Sequence, residues 1–134
     1  MKEKIKVLVT DKKPKITEVE MTLEGIIESD IPGVYEFIYT DDEKGILKSV
    51  EIYQPEIIHL SVPLAKIDCL RLVKKIKQVH PAVAIFVFFL MEFDDEQEEI
   101  DKYMSQGVYK CYLEPLHTDA LIHDMYVALN LESL

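Results

Sequence analysis

Pro55-Glu-Ile-Ile-His-Leu-Ser-Val-Pro63 is the stretch on which the reading of this chain turns. Two prolines bracket a run rich in β-branched and aliphatic residues, which predicts a short strand from Glu56 to Leu60. Beyond Pro63 the period changes from two to 3.6. Ile67, Leu70, Val73 and Ile76 then fall on one stripe of a helix running from about Ile67 to Val79, and the lysines fall outside it. A strand followed directly by an amphipathic helix is half of a crossover unit.

The same unit recurs on both sides. Upstream, Ile5-Lys-Val-Leu-Val-Thr10 reads as a strand. Pro14 leads into a helix from about Ile16 to Glu28, with Ile16, Val19, Leu23, Ile26 and Ile27 on one stripe. Pro32-Gly33 turns the chain into a second strand, Val34 to Tyr39, and Asp41 or Asp42 caps a helix to about Ile52. Downstream, Val83 to Leu90 is apolar without alternation, the pattern of a central parallel strand covered on both faces. Asp94 or Asp95 caps an acidic helix to about Gln106, closed by Gly107. Val108 to Leu113 is the fifth strand, and His117 to Leu131 the last helix. Five βα units with right-handed crossovers predict an α/β fold, a doubly wound five-stranded parallel sheet. Residues 1–134 are expected to form a single domain. Sites in such sheets form at the carboxyl ends of the strands, beside the point where strand order reverses. The loops Thr10–Lys15, Ser61–Lys66, Leu90–Asp94 and Leu113–His117 are therefore the ones to inspect.

Composition narrows the function. The 134 residues are 49% apolar and carry a net charge of −10. The charge is uneven: residues 1–80 hold 13 Lys/Arg against 14 Asp/Glu, and residues 81–134 hold 2 against 11. An acidic half repels a phosphate backbone, so nucleic acid is not an expected partner. The basic stretch Lys66, Arg71, Lys74, Lys75 and Lys77 reads first as a solvated helix face and second as a docking patch for an acidic partner. The longest apolar run, Ala82 to Met91, is too short for a transmembrane helix, and MKEKIKVLVT has no apolar signal segment. A cytoplasmic protein with no membrane partner is expected. Cys69 and Cys111 lack metal-type spacing and read as buried thiols in a reducing compartment.

Several segments together resemble response-regulator receiver domains, over nearly the whole chain. Val7-Leu-Val-Thr-Asp-Lys-Lys-Pro14 is similar to the first receiver strand with its acidic pair, and Pro55–Pro63 to the segment that carries the phospho-acceptor aspartate. Asp68-Cys-Leu-Arg-Leu-Val-Lys-Lys-Ile76 resembles the helix that follows, and Gln106-Gly-Val-Tyr-Lys-Cys-Tyr-Leu-Glu-Pro115 the closing lysine-proline segment. The resemblance implies a flavodoxin/CheY-like fold, a cis peptide at Glu114–Pro115, a place in two-component or phosphorelay signal transduction, and a pocket made of Asp11, Lys12, Ser61, Glu114 and Pro115.

The chemistry of that pocket departs from the family pattern. Aspartyl phosphorylation needs a carboxylate nucleophile, carboxylates for Mg²⁺, a lysine and a hydroxyl, so that cations meet the arriving phosphate. Here Ser61 stands at the acceptor, Lys12 at a metal ligand and Glu114 at the lysine. No Ser or Thr lies between residues 83 and 104. Mg²⁺ binding is therefore expected to be weak or absent, with no other cofactor and no enzymatic activity. The exchanged signs at Lys12 and Glu114 suggest an ion pair, direct or through Asp11, that locks the cleft; the plainer alternative is two surface side chains. The aromatic switch position falls at Cys111, with Tyr112 beside it. The expected reading is a degenerate receiver that works by binding protein. A phosphorylatable regulator with an atypical acceptor and a flavodoxin-like small-ligand sensor are the alternatives.

The expected interaction surface is the acidic fourth helix and its neighbours: Asp94, Asp95, Glu98, Glu99, Tyr112 and Tyr126. A run of acids is often only a solvated face, but a basic protein partner fits it best. The last helix, with Asp119, Asp124 and Glu132 and no Lys or Arg, lacks the positive half of a salt-bridged dimer; Met125, Tyr126 and Leu129 are the apolar alternative there. His59 reads as a satisfied core histidine rather than a ligand or phospho-acceptor. His117 and His123, six apart, read as surface residues, and His80 as a turn residue. Thr10 and Thr17 are a weak flavin-phosphate cradle because the loop between them has no glycine, and the cobalamin-type DxHxxG pattern is missing.

Overall fold

A computed structural model describes residues 4–129, apart from the side chains of Glu20 and Met21. Five strands, β1 (Ile5–Val9), β2 (Tyr35–Tyr39), β3 (Ile57–Val62), β4 (Ala84–Phe89) and β5 (Lys110–Tyr112), alternate with five helices. These are α1 (Leu23–Asp30), α2 (Glu43–Tyr53), α3 (Cys69–Val79), α4 (Glu96–Met104) and α5 (Thr118–Ala128). The strands form one parallel sheet in the order β2-β1-β3-β4-β5, so the direction in which strands are added reverses between β1 and β3. This is the α/β, doubly wound arrangement expected from the pattern.

Two apolar layers flank the sheet. Leu8, Ile58, Leu60, Ile85 and Val87 face α2, α3 and α4, which contribute Ile46, Val50, Leu72, Ile76 and Tyr103. Val7, Val9, Ile57, Phe86 and Phe88 face α1 and α5, which contribute Ile27, Leu121 and Met125. The unalternating run of β4 is explained: Ile85, Phe86 and Val87 are all fully buried, on both faces.

Local chemistry sets the helix starts. The carboxylates of Asp42, Asp68 and Asp95 accept from the backbone N–H groups of Gly45, Arg71 and Glu98, which resolves both aspartate pairs in favour of the second member. Gly107 takes φ +89 after α4, a backbone that a side chain would strain. Glu114–Pro115 is cis, as expected, and Val62–Pro63 is cis as well.

Three helix readings need correction. The first helix is not continuous from Ile16: a 3-10 segment, Ile16–Met21, precedes α1, and Thr22 breaks the two apart by capping Gly25 N–H while donating to the Val19 carbonyl. Ile16 is consequently 93% exposed, and Glu24 with Ile27 forms the inward face in place of the expected stripe. α3 begins at Cys69, and its buried face is Cys69, Leu72, Val73 and Ile76, so Ile67 and Leu70 sit at its margin. The last helix ends at Ala128; residues 130 and 131 of the expected helix lie outside the described residues, as does Glu132. Among the described residues no helix is long and apolar enough to cross a membrane.

Candidate functional site

At the carboxyl ends of β1, β3, β4 and β5, on the face covered by α1 and α5, lies a cavity of about 320 Å³. Asp11, Ser61 and Glu114 all line it, so three of the five residues expected to form the pocket come together. Ser61 is half-buried because β3 runs two residues further than the pattern predicted, ending at Val62. Thr10 fixes its position. The buried Thr10 hydroxyl donates to the His59 carbonyl at 3.2 Å and accepts from the Ser61 N–H at 3.0 Å, clasping β1 to β3 at the site. That hydroxyl is therefore committed to the backbone and is no phosphate cradle.

The expected lock is not formed. Among the described residues neither Lys12 nor Glu114 is within ion-pair reach of an opposite charge, and Lys12 does not line the cavity. The reason is local. The Asp11 carboxylate turns back on its own loop and accepts from the Lys12 backbone N–H at 2.7 Å. Both Lys12 and Glu114 are exposed, where pairing two long side chains in water gains under about 1 kcal/mol, too little to hold them together.

A pair that the sequence reading missed lies deeper. His59, 2% exposed, points from β3 to the same side as Ser61, and its Nδ1 sits 3.5 Å from Oε2 of the buried Glu24 on α1. His59 is buried, as a core histidine should be, but it is not satisfied: neither ring nitrogen has a hydrogen-bond partner among the described residues. A buried polar group in that condition costs about 1–3 kcal/mol, which makes it unusual in a folded core. The signal was present in Thr22 and Gly25. Starting the helix at that cap puts Glu24, Ile27 and Ile31 on one face, three and four residues apart.

The other wall is aromatic. Tyr112 stacks on Phe88 at 5.3 Å between centroids, and Phe86 lies stacked between Tyr109 and Tyr112. The Tyr112 hydroxyl donates to Asp124 Oδ2 of α5 at 2.7 Å, and Lys110 Nζ reaches the same oxygen at 2.9 Å. Burial pushes the Tyr112 phenol well up, and the bond to Asp124 adds to the shift. Partial burial alone would raise the Asp124 carboxyl, but the hydrogen bonds from Lys110 and Tyr112 outweigh it and hold the group below the usual carboxylate range. Tyr112 is thus half-buried and tied to α5 rather than presented outward. Cys111 faces the opposite layer, and burial pushes its thiol up to about 11. Burial also raises Cys69, so neither cysteine is a ready nucleophile at neutral pH.

On α4, Asp95 caps the helix, and Lys102 bridges Glu99 at 3.0 Å and Glu98 at 3.9 Å. Asp94, Asp95 and Glu98 are exposed, and Tyr126 is half-buried on α5. Met125, offered as an interface residue, is fully buried under α5. In the basic stretch, Lys75 pairs with Glu43 at 3.3 Å, and Lys77 donates to the carbonyls of Pro81 and Val83, while Arg71 and Lys74 remain solvated.

The comparisons agree on the fold. The structure matches a response regulator from Thermotoga maritima with a TM-score of 0.74 and 16% identity, covering 96% of this chain and 99% of the other. It matches a two-component response regulator from Clostridium difficile with a TM-score of 0.75 and 18% identity, covering 95% and 97%. A CheY-like receiver domain protein from Methanospirillum hungatei gives a TM-score of 0.75 and 14% identity, covering 96% and 95%. No protein-family model and no curated protein matches the sequence. The chain therefore has the CheY-like receiver fold, and at these identities the likeness extends to the fold alone.

Proposed function

We propose that this chain is a receiver-like signalling module that acts by binding another protein and does not carry phosphate on an aspartate. The observation that carries the reading is Ser61, a neutral alcohol near the end of β3 and at the mouth of the strand-end cavity, where receivers place their acceptor. A serine hydroxyl ionises far above neutrality and has no carboxylate to offer a phosphodonor. The flanking groups do not fit Mg²⁺ either. A hard divalent ion wants several oxygen ligands converging on one point, and among the described residues no three His, Cys, Asp or Glu side chains come close enough together to hold one. The state of the module is then set by something other than aspartyl phosphate, or is fixed.

The exposed acids at the start of α4 are the surface we assign to a basic protein partner, and Tyr126 of α5, which sits near Tyr35 of β2, is not part of it; nucleic acid and membrane are not partners in this reading. The two unlinked thiols support a cytoplasmic setting. The test is exposure of the chain to acetyl phosphate and Mg²⁺, followed by intact-mass measurement. No added phosphate is expected. Phosphate mapped to Ser61 or Asp11 would instead make this a phosphorelay receiver with an unusual acceptor. The triple variant K12D/S61D/E114K, which puts the receiver residues back, is expected to gain Mg²⁺-dependent phosphate that S61D alone does not.

A further inference from the structure

We infer that the cavity between the strand ends, α1 and α5 is a binding site for a small organic cation, a primary amine or guanidine carried on an aromatic or branched apolar group. Three acidic residues line it: Asp11 and Glu114, both exposed, and Glu24, buried on α1. Among the described residues no lysine or arginine lines it. His59 lines the same space, 2% exposed, its ring nitrogens without a hydrogen-bond partner. A protonated His59 neutralises Glu24 and leaves two negative charges; a neutral His59 leaves three. In either state the wall repels phosphate and carboxylate ligands and draws a cation.

The remaining surface matches an apolar body. Val9, Leu23 and Leu116 line the cavity, with Phe88 and the Tyr112 ring beside them, and aromatic faces stabilise an ammonium or guanidinium. The neighbouring Tyr39 phenol registers the same negative field: burial pushes it up to about 12, with Glu24 and Asp11 adding to the shift. At about 320 Å³ the space is at the small end of ligand cavities, suited to a one-ring amine and too small for a flavin or dinucleotide. It also lies where a doubly wound sheet places its ligands, beside the reversal between β1 and β3. The site does not depend on the fate of Ser61, and it stands whether or not that residue accepts phosphate.

The experiment uses the whole chain and three matched probes, phenethylamine, phenylacetate and 2-phenylethanol, followed by NMR of the His59 ring C–H signals. Phenethylamine is expected to move these signals saturably, and phenylacetate to leave them in place. Glu24→Gln, which keeps the shape and removes the charge, is expected to weaken the amine by roughly tenfold. Unmoved His59 signals at about 10 mM amine, or phenylacetate binding as well as the amine, would overturn the assignment. So would wild-type amine affinity in folded Glu24→Gln. If that variant does not fold, Asp11→Asn at the exposed rim replaces it, and unchanged affinity there counts equally against the site.

Discussion

Thr10 and Asp124 show how single side chains hold the site together. The Thr10 hydroxyl serves two backbone groups at once, on His59 and Ser61. Thr10→Val keeps the shape and leaves the Ser61 N–H unpaired, while the His59 carbonyl still accepts from the Thr10 N–H at 3.0 Å, so a loss of about 1–3 kcal/mol is expected in urea unfolding. Tyr112→Phe removes one bond to Asp124 and is expected to cost about 1 kcal/mol. The Asp124 carboxyl is held below its ordinary range, so it favours the folded state at pH values above that range, and the benefit disappears as pH falls through the depressed value. The stability gap between wild type and Asp124→Asn should therefore be full at neutral pH and shrink on acidification; a gap that widened in acid would contradict the ion-pair account. Ser61, Asp11 and Glu114 were all legible as strand-end residues from the order of motifs. Lys12 was misread because a swap of charge signs in sequence does not bring two exposed side chains into contact.

Among the elements, α1 carries the sharpest sequence constraint. A Cβ on Gly25 would overlap the Val19 carbonyl, and the 3-10 segment would have to move away to admit it. Gly25→Ala, normally favourable in a helix, is expected to destabilise the fold and displace Glu24 from His59, readable in the thermal midpoint and in the His59 ring signals. Thr22→Ala removes the cap alone and should cost about 1 kcal/mol. The acidic helix offers a different kind of test. Reversing Glu98 and Glu99 to lysine leaves the Asp95 cap in place, so the helix should persist by circular dichroism while a basic partner is lost from pull-downs. Helix α3 was recognised but rotated: Ile67 looked like the start of its stripe, whereas the helix begins two residues later at Cys69, after the Asp68 cap, with Cys69 and Leu72 turned inward.

For the whole molecule, buried phenols tie stability to alkaline pH. Burial pushes Tyr35 and Tyr39 up to about 12 and raises Tyr103 and Tyr112 further. The folded chain thus keeps protons that the unfolded chain gives up near the ordinary phenol value of 10.0. Above that value the unfolded state binds fewer protons, and stability falls as pH rises. Alkaline unfolding is expected, with tyrosinate absorbance and loss of helical signal appearing together. Early titration of all the tyrosines before unfolding would show that these rings are not buried as described.

The alternation of five apolar runs with amphipathic segments was enough to specify the sheet, its parallel sense and the ends of the strands where a site forms, because strand and helix periods are local properties and right-handed crossovers leave few other topologies. The substitution of an alcohol for a carboxylate at residue 61 was equally plain in the sequence. Only the tertiary structure placed Glu24 of α1 against His59 of β3, 35 positions away, and gathered Asp11, Glu114, Phe88 and Tyr112 around one cavity. Which side chains meet across elements depends on helix rotation and strand length. A one-residue change in a cap or a two-residue extension of a strand decides those, and residue pattern alone does not resolve differences of that size.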